Sequence, residues 1–135
     1  MILIDTSVWI DFFNHPQSYF SKLLKELIEK DTDLCLTDII LTEILQGIKD
    51  DVIFEETKKS LLAFPIFKAA SLNTYIYAAA IYRICRNRGT TIRRTIDTII
   101  ASVAIENNLQ IFHNDKDFNR IAQCTPLKIF RSIVV

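Results

Sequence analysis

Three branched apolar residues, Ile2-Leu3-Ile4, run directly into Asp5-Thr6-Ser7. That pattern predicts a short buried strand whose C-terminal tip carries polar groups. Residues 8–13 read as a helical turn ending near Asn14-His15-Pro16. Phe20, Leu23, Leu24, Leu27 and Ile28 then recur at helical spacing, with Lys and Glu between them, and residues 31–33 break the pattern. Leu34-Cys35-Leu36 predicts a second strand, and Thr37 is placed to cap a helix with Ile40, Leu41, Ile44, Leu45 and Ile48 on one face. A further amphipathic helix through Phe54, Leu61 and Leu62 leads to residues 64–67, which read as an edge strand because of Pro65.

Residues 72–87 predict a helix stopped by Gly89. Its Ala78-Ala79-Ala80 run implies close packing, against either the core of this chain or a second copy. The next helix starts at Thr91 or Thr95, with Ile92, Ile96, Ile99, Ile100 and Val103 inward. Residues 109–112 predict a strand, residues 115–122 a short helix and residues 127–130 a last strand. Strands alternating with helices imply one α/β domain, a mainly parallel sheet covered on both faces.

Composition narrows the class. Among 135 residues half are hydrophobic, with two Gly and three Pro, which implies a compact fold rather than disorder. No apolar run approaches the ~18 residues of a membrane span, and Asp5 interrupts any signal-peptide pattern, so a cytoplasmic protein is expected. Cys35, Cys85 and Cys124 are odd in number and lack metal-ligand spacing, as expected of reduced thiols. Net charge is zero but uneven. Residues 1–67 hold twelve acids and six bases, and residues 68–135 hold four acids and ten bases. The excess of bases gathers at Arg83, Arg86, Arg88, Arg93 and Arg94. That distribution suits a phosphate-bearing partner, and solvated helix ends account for it equally.

Four acids besides Asp5 stand at notable positions. Glu43 flanks the apolar stripe of its helix, with Gly47 four residues on leaving room beside it. Asp97 opens a helix in a similar flanking position, with Ala101 four residues on. Asp115 follows its strand as Asp5 follows the first, and Asp117 comes two residues later. Each has a plain explanation as an N-cap, a first-turn acid or a surface residue. Taken together they carry more weight, because the topology brings the tips of parallel strands to one edge of the sheet. Converging carboxylates repel one another and must either protonate or recruit a divalent cation, and an all-oxygen set suits Mg²⁺ or Mn²⁺. His15 and His113 lack zinc-type spacing.

Four segments carry a family resemblance: residues 2–13 (ILIDTSVWIDFF), 41–47 (LTEILQG), 91–101 (TIRRTIDTIIA) and 113–118 (HNDKDF). In order and spacing they resemble a PIN-domain ribonuclease, specifically the VapC toxins of VapBC toxin–antitoxin pairs. The resemblance spans nearly the whole chain, as a single PIN domain over residues 1–135. It implies a three-layer α/β/α sandwich and an acidic metal site formed by Asp5, Glu43, Asp97 and Asp115, with Asp117 a less certain ligand. Thr6 matches a hydroxyl that supports the first aspartate. His113-Asn114 stands where many relatives carry Thr or Ser, which alters the polar surroundings of Asp115. The implied activity is metal-dependent cleavage of single-stranded or loop regions of transfer or ribosomal RNA, and the local excess of basic charge makes Arg86, Arg88, Arg93 and Arg94 the candidates for gripping its backbone. A VapB-type antitoxin and a homodimer are the implied partners.

Three other readings remain open on sequence. The chain could be a non-catalytic PIN module binding RNA or protein, or a metal-free ribonuclease using His15 and His113. It could also carry a phosphoryl-accepting Asp5, although the lysine placement and paired acids of a receiver domain are missing.

Overall fold

The computed structural model describes residues 1–132. In chain order it contains β1 (Ile2–Ile4), α1 (Thr6–Asn14), α2 (Tyr19–Glu29), β2 (Leu34–Thr37), α3 (Asp38–Gln46) and α4 (Asp51–Leu61). Then follow β3 (Ile66–Phe67), α5 (Leu72–Asn87), α6 (Thr95–Glu106), β4 (Gln110–Phe112), α7 (Lys116–Cys124) and β5 (Lys128–Ile129). The strands form one sheet in the order β3-β2-β1-β4-β5, and every pairing is parallel.

This order fixes the layers. From β1 the chain steps outward to β2 and β3, so right-handed connections put α1 to α4 on one face. It then crosses back beyond β1 to β4 and β5, which puts α5, α6 and α7 on the other. The packing agrees: α1 lies against α2 and α3, α3 lies against α4, and α5, α6 and α7 pack on one another. The result is the expected three-layer α/β/α sandwich. Leu3 and Ile4 of β1, Leu36 of β2 and Ile111 of β4 are wholly buried beneath the helices, as strands covered on both faces must be.

Strand order reverses at β1, whose two neighbours are β2 and β4. In a parallel sheet with helices on both faces, that reversal opens a crevice at the carboxyl ends of the strands. Asp5 N–H donates to the Phe112 carbonyl at 3.0 Å, which ties the tips of β1 and β4 together at this point.

Several expectations shift by small amounts. The first helix begins at Thr6 rather than Val8, because the Asp5 side chain caps it by accepting from Ser7 N–H. The next-to-last helix starts at Thr95, leaving Thr91 outside it. Ile96, expected inward, is 37 % exposed, and Leu62 is 55 % exposed. On α6 the wholly or nearly buried positions are instead Asp97, Thr98, Ile100, Ala101, Ser102, Val103 and Ala104. The small residues of α6 allow close approach to α5, and this outweighs the pull of one more isoleucine. Ser102 Oγ seals that contact by donating to the Thr74 carbonyl at 2.7 Å. All three cysteines are free thiols.

Gly89 ends α5 as expected. Its φ is +85°, its N–H donates to the Arg86 carbonyl at 2.9 Å, and Thr90 N–H donates to the Cys85 carbonyl at 2.9 Å. This paired termination requires a left-handed residue. Gly47, which ends α3, has an ordinary helical φ of −83°. Gly89→Ala is therefore expected to cost about 1 kcal/mol in denaturant melts. Gly47→Ala should cost less, since an added Cβ meets only ordinary contacts, the nearer at 3.6 Å. Equal losses at the two positions would contradict this assignment.

Candidate active site

Asp5, Thr6, Ser7, Glu43, Arg93, Arg94 and Asp115 border one pocket of about 490 Å³ at the strand-order reversal. Each reaches it by a local rule. Asp5 leaves β1 as the N-cap of α1, and Asp115 follows β4 as the N-cap of α7, accepting from Asp117 N–H at 3.0 Å. Thr37 starts α3 by accepting from Ile40 N–H, so Glu43 projects from the middle of that helix. Asp97 lies in the first turn of α6, wholly buried. The capping role and the site role at Asp5 and Asp115 are thus the same geometry.

Ser7 is the organising residue that sequence reasoning passed over, although it stands inside the first motif. Asp5 Oδ2 accepts from both Ser7 N–H at 3.1 Å and Ser7 Oγ–H at 2.7 Å. Ser7 Oγ in turn accepts from Asn114 N–H at 2.9 Å, which links the β1 and β4 tips through one hydroxyl. Asn114 therefore acts through its backbone. Thr6 does not hold Asp5 as the resemblance implied: its Oγ–H donates to Glu43 Oε1 at 2.8 Å. The other Asp5 oxygen, Oδ1, is buried and has no hydrogen-bond partner.

A buried carboxylate with one oxygen unsatisfied resists ionisation. Burial pushes the Asp5 pKa up to about 6, the Ser7 hydrogen bonds oppose this, and the charges of Asp97 and Glu43 add to it. Asp97 is also raised, by burial first, with Arg94 pulling it back down. Asp97 and Glu43 thus lie close enough for their charges to bear on Asp5. Asp117 goes the other way. Burial alone would raise it, but hydrogen bonds from Arg93 N–H, the Arg120 guanidinium and the Arg93 side chain outweigh that and lower it.

Two guanidiniums thread among the acids. Arg94 donates from Nη2 and Nε to Asp97 at 2.9 and 3.3 Å, and its Nη1 stands 3.5 Å from Glu43 Oε2. Arg93 contacts Asp115 and Asp117, each at 3.2 Å. Among the described residues no three His, Cys, Asp or Glu side chains close around a metal-sized point. The arginines lie between the carboxylates and take up their oxygens pairwise. The remaining expected arginines lie elsewhere: Arg86 stacks over Tyr82, and Arg88 donates to the Gln123 carbonyl at 3.4 Å.

The histidines do not form a catalytic pair. His113 Nδ1 accepts from Asp115 N–H at 3.0 Å, and its Nε2 meets Asn119 Oδ1 at 3.2 Å. Both ring nitrogens are engaged, and burial lowers the His113 pKa against the opposing effect of these hydrogen bonds. His15 is an exposed residue at the end of α1.

An acid-lined crevice at the strand-order reversal of a five-stranded parallel sheet places the chain among small three-layer α/β/α domains. Residues 2–123 match the PIN domain family. The chain is 33 % identical over 129 residues to ribonuclease VapC11 of Mycobacterium tuberculosis, covering 95 % of this chain and 96 % of that one. It is 29 % identical to ribonuclease VapC2 of Rickettsia felis, covering 88 % and 90 % of the two chains. Among solved structures it is similar to VapBC2 of Rickettsia felis bound to a promoter DNA fragment, with a TM-score of 0.73, 20 % identity and coverage of 96 % and 98 %. FitAcB of Neisseria gonorrhoeae superposes with a TM-score of 0.72, 24 % identity and 97 % coverage of both chains. The chain belongs to the PIN-domain family, within the group of VapC ribonucleases.

Asp5 yields a stability prediction with a definite pH window. Its carboxyl binds its proton more tightly in the folded chain, at about 6, than at the ordinary 3.8. The folded state therefore loses stability as pH rises through that interval, on the order of 3 kcal/mol from end to end. Asp5→Asn removes the charge and keeps a capping side chain. It should raise the melting temperature by several degrees at pH 7.5 and confer almost none of that gain at pH 4. A variant that melts lower than the parent at pH 7.5 would refute the buried-charge assignment.

Proposed function

We propose that this chain is a metal-dependent endoribonuclease, the toxin of a toxin–antitoxin pair. The observation that carries the reading is the buried, unpartnered Asp5 Oδ1 at the edge of a pocket shared with Glu43 and Asp115. A carboxylate oxygen shielded from water and given no donor is stabilised by a cation. The donor set available there is all oxygen, which fits Mg²⁺ or Mn²⁺ rather than zinc.

On this reading Asp5, Asp97 and Asp115 hold the ion, with Glu43 alongside, kept in place by the Thr6 hydroxyl. A divalent ion so held supplies an activated water and offsets charge growing on the scissile phosphate. Arg94, half exposed at the pocket rim, is within the reach of the RNA backbone, and Arg93 beside it adds positive charge. Single-stranded or looped stretches of transfer or ribosomal RNA are the expected substrates, since their bases are open to recognition. The relatives named above as ribonucleases support this reading, and the occupied ring nitrogens of His113 tell against a metal-free histidine mechanism.

The partners follow from two surfaces. An apolar trough of about 470 Å³ formed by Ile10, Phe13, Ile44, Ile48 and Ile53 runs beside Glu43. It suits a VapB-type antitoxin segment that ends at the acids. On α5, Leu72, Tyr75 and Ile76 are exposed and share one stripe with Ala79, whereas Ala78 is buried in the chain itself. This stripe supports a homodimer. No helix among the described residues is long and apolar enough to cross a membrane, and the expected setting is the cytoplasm.

Incubation of the purified chain with RNA should give cleavage that requires Mg²⁺ or Mn²⁺ and leaves 5′-phosphate ends. Asp5→Asn and Asp97→Asn should each lower the rate by at least about 100-fold. Cleavage that persists in excess chelator, or that leaves cyclic phosphates, would overturn the metal mechanism. RNA binding without cleavage under all metal conditions would favour a non-catalytic PIN module.

A further inference from the structure

Arg93 and Arg94 are neighbours in sequence, yet the structure holds them very differently. Arg93 is anchored on a carboxylate that it shares with Arg120. Its N–H and Nε both donate to Asp117 Oδ2 at 3.2 Å, and Arg120 Nη1 donates to Asp117 Oδ1 at 2.7 Å. Asp117 is wholly buried with both oxygens engaged by arginines. It is thus tied into a structural network joining the segment before α6 to α7. The same network steadies Asp115 through Arg93 Nη2.

Arg94 has no such anchor. It is the N-cap residue of α6 with extended backbone angles (φ −128°, ψ 129°), and its side chain makes no capping hydrogen bond. Its guanidinium is held by Asp97 and Glu43, two of the acids assigned above to the ion. Its side chain is half exposed and bound to these two acids alone, so it can swing away without disturbing the Asp117 network. Both Asp97 oxygens receive a hydrogen bond from it. A divalent cation needs carboxylate oxygens at about 2.0–2.2 Å and would be set close against a like charge.

We propose that Arg94 and a divalent cation are alternative partners of Glu43 and Asp97. Arrival of the ion releases the guanidinium to the pocket rim, where it meets an RNA phosphate. Arg93 stays fixed on Asp117, and Asp117 is a positioning residue rather than a ligand. This inference rests on the metal site proposed above. It adds to it a charge exchange: the pocket keeps its acids neutralised in either state, and the phosphate-gripping cation becomes available when the metal is in place.

Calorimetric titration of the full chain with MnCl₂ in the absence of RNA tests this directly. Arg94→Gln should bind Mn²⁺ tighter, on the order of tenfold, because the internal competitor is gone. Arg83→Gln, which removes an equal charge from the exposed face of α5, should leave Mn²⁺ affinity unchanged. Arg93→Gln, which unpairs Asp115 but leaves Asp97 and Glu43 held by Arg94, should tighten it less than Arg94→Gln, and Asp117→Asn should not tighten it. Unchanged or weaker Mn²⁺ binding by Arg94→Gln would overturn the proposal, as would equal tightening by Arg83→Gln. If neither the parent chain nor Arg94→Gln takes up Mn²⁺, the metal site itself is refuted and the proposal goes with it. A second readout needs no variant for its result. In ¹⁵N spectra of the parent chain titrated with MgCl₂, the Arg94 Nε–H signal should move while that of Arg93 holds. A stationary Arg94 signal under saturating Mg²⁺ would overturn the exchange.

Discussion

A single half-satisfied carboxylate constrains this molecule more than any other group. Asp5 sits at the tip of the central strand, where the chain reverses its direction of travel across the sheet. One of its oxygens is fully used by Ser7 and the other by nothing. The same residue starts α1 and, through its N–H, joins β1 to β4. The sheet cannot be assembled in this order without burying that charge. Its cost is local and electrostatic, and the surrounding groups are arranged in response to it.

The response is visible in how charge is distributed along the chain. The acidic N-terminal half supplies Asp5 and Glu43 to the pocket, and the basic C-terminal half supplies Arg93, Arg94 and Asp115, with Asp97 buried behind Arg94. A net charge of zero thus conceals two halves that meet face to face at the crevice. Oxygens held close and only partly neutralised by two arginines form a surface of mixed charge, in keeping with the proposed phosphodiester substrate and its attendant cation. The same surface would repel a polyanion if the guanidiniums were removed.

Much of the architecture was legible because the sheet is parallel and buried. Short branched runs such as Ile2-Leu3-Ile4 and Leu34-Cys35-Leu36 between amphipathic stretches leave few other readings. The acids were legible through position: two follow strands, and the family spacing ties them to Glu43 and Asp97. Less legible were matters of rotation and pairing. Ile96 faces outward on α6 against its apolar pattern, since apolarity says where a side chain prefers to be but not how closely two helices approach. Ala101, Ala104 and Ser102 decide that, and Asp97 is carried onto the buried face in the first turn as a result. Thr6 and Ser7 differ by one hydroxyl-bearing position, and only the turn geometry shows that Ser7 reaches Asp5 while Thr6 reaches Glu43. The Arg94 pairing had a signal, since Arg94 lies three residues before Asp97. At that separation a side chain at a helix start can fold back on the first turn. The partners of Arg93, by contrast, are more than twenty residues away.

Crystals of the chain soaked with MnCl₂ and measured at the manganese absorption edge test the central claim most directly. The account predicts an anomalous peak in the crevice between β1 and β4, within about 2.2 Å of an Asp5 oxygen, with Arg94 drawn off Asp97. Manganese bound only at other surface carboxylates, with Asp5 Oδ1 still unpartnered, would contradict it.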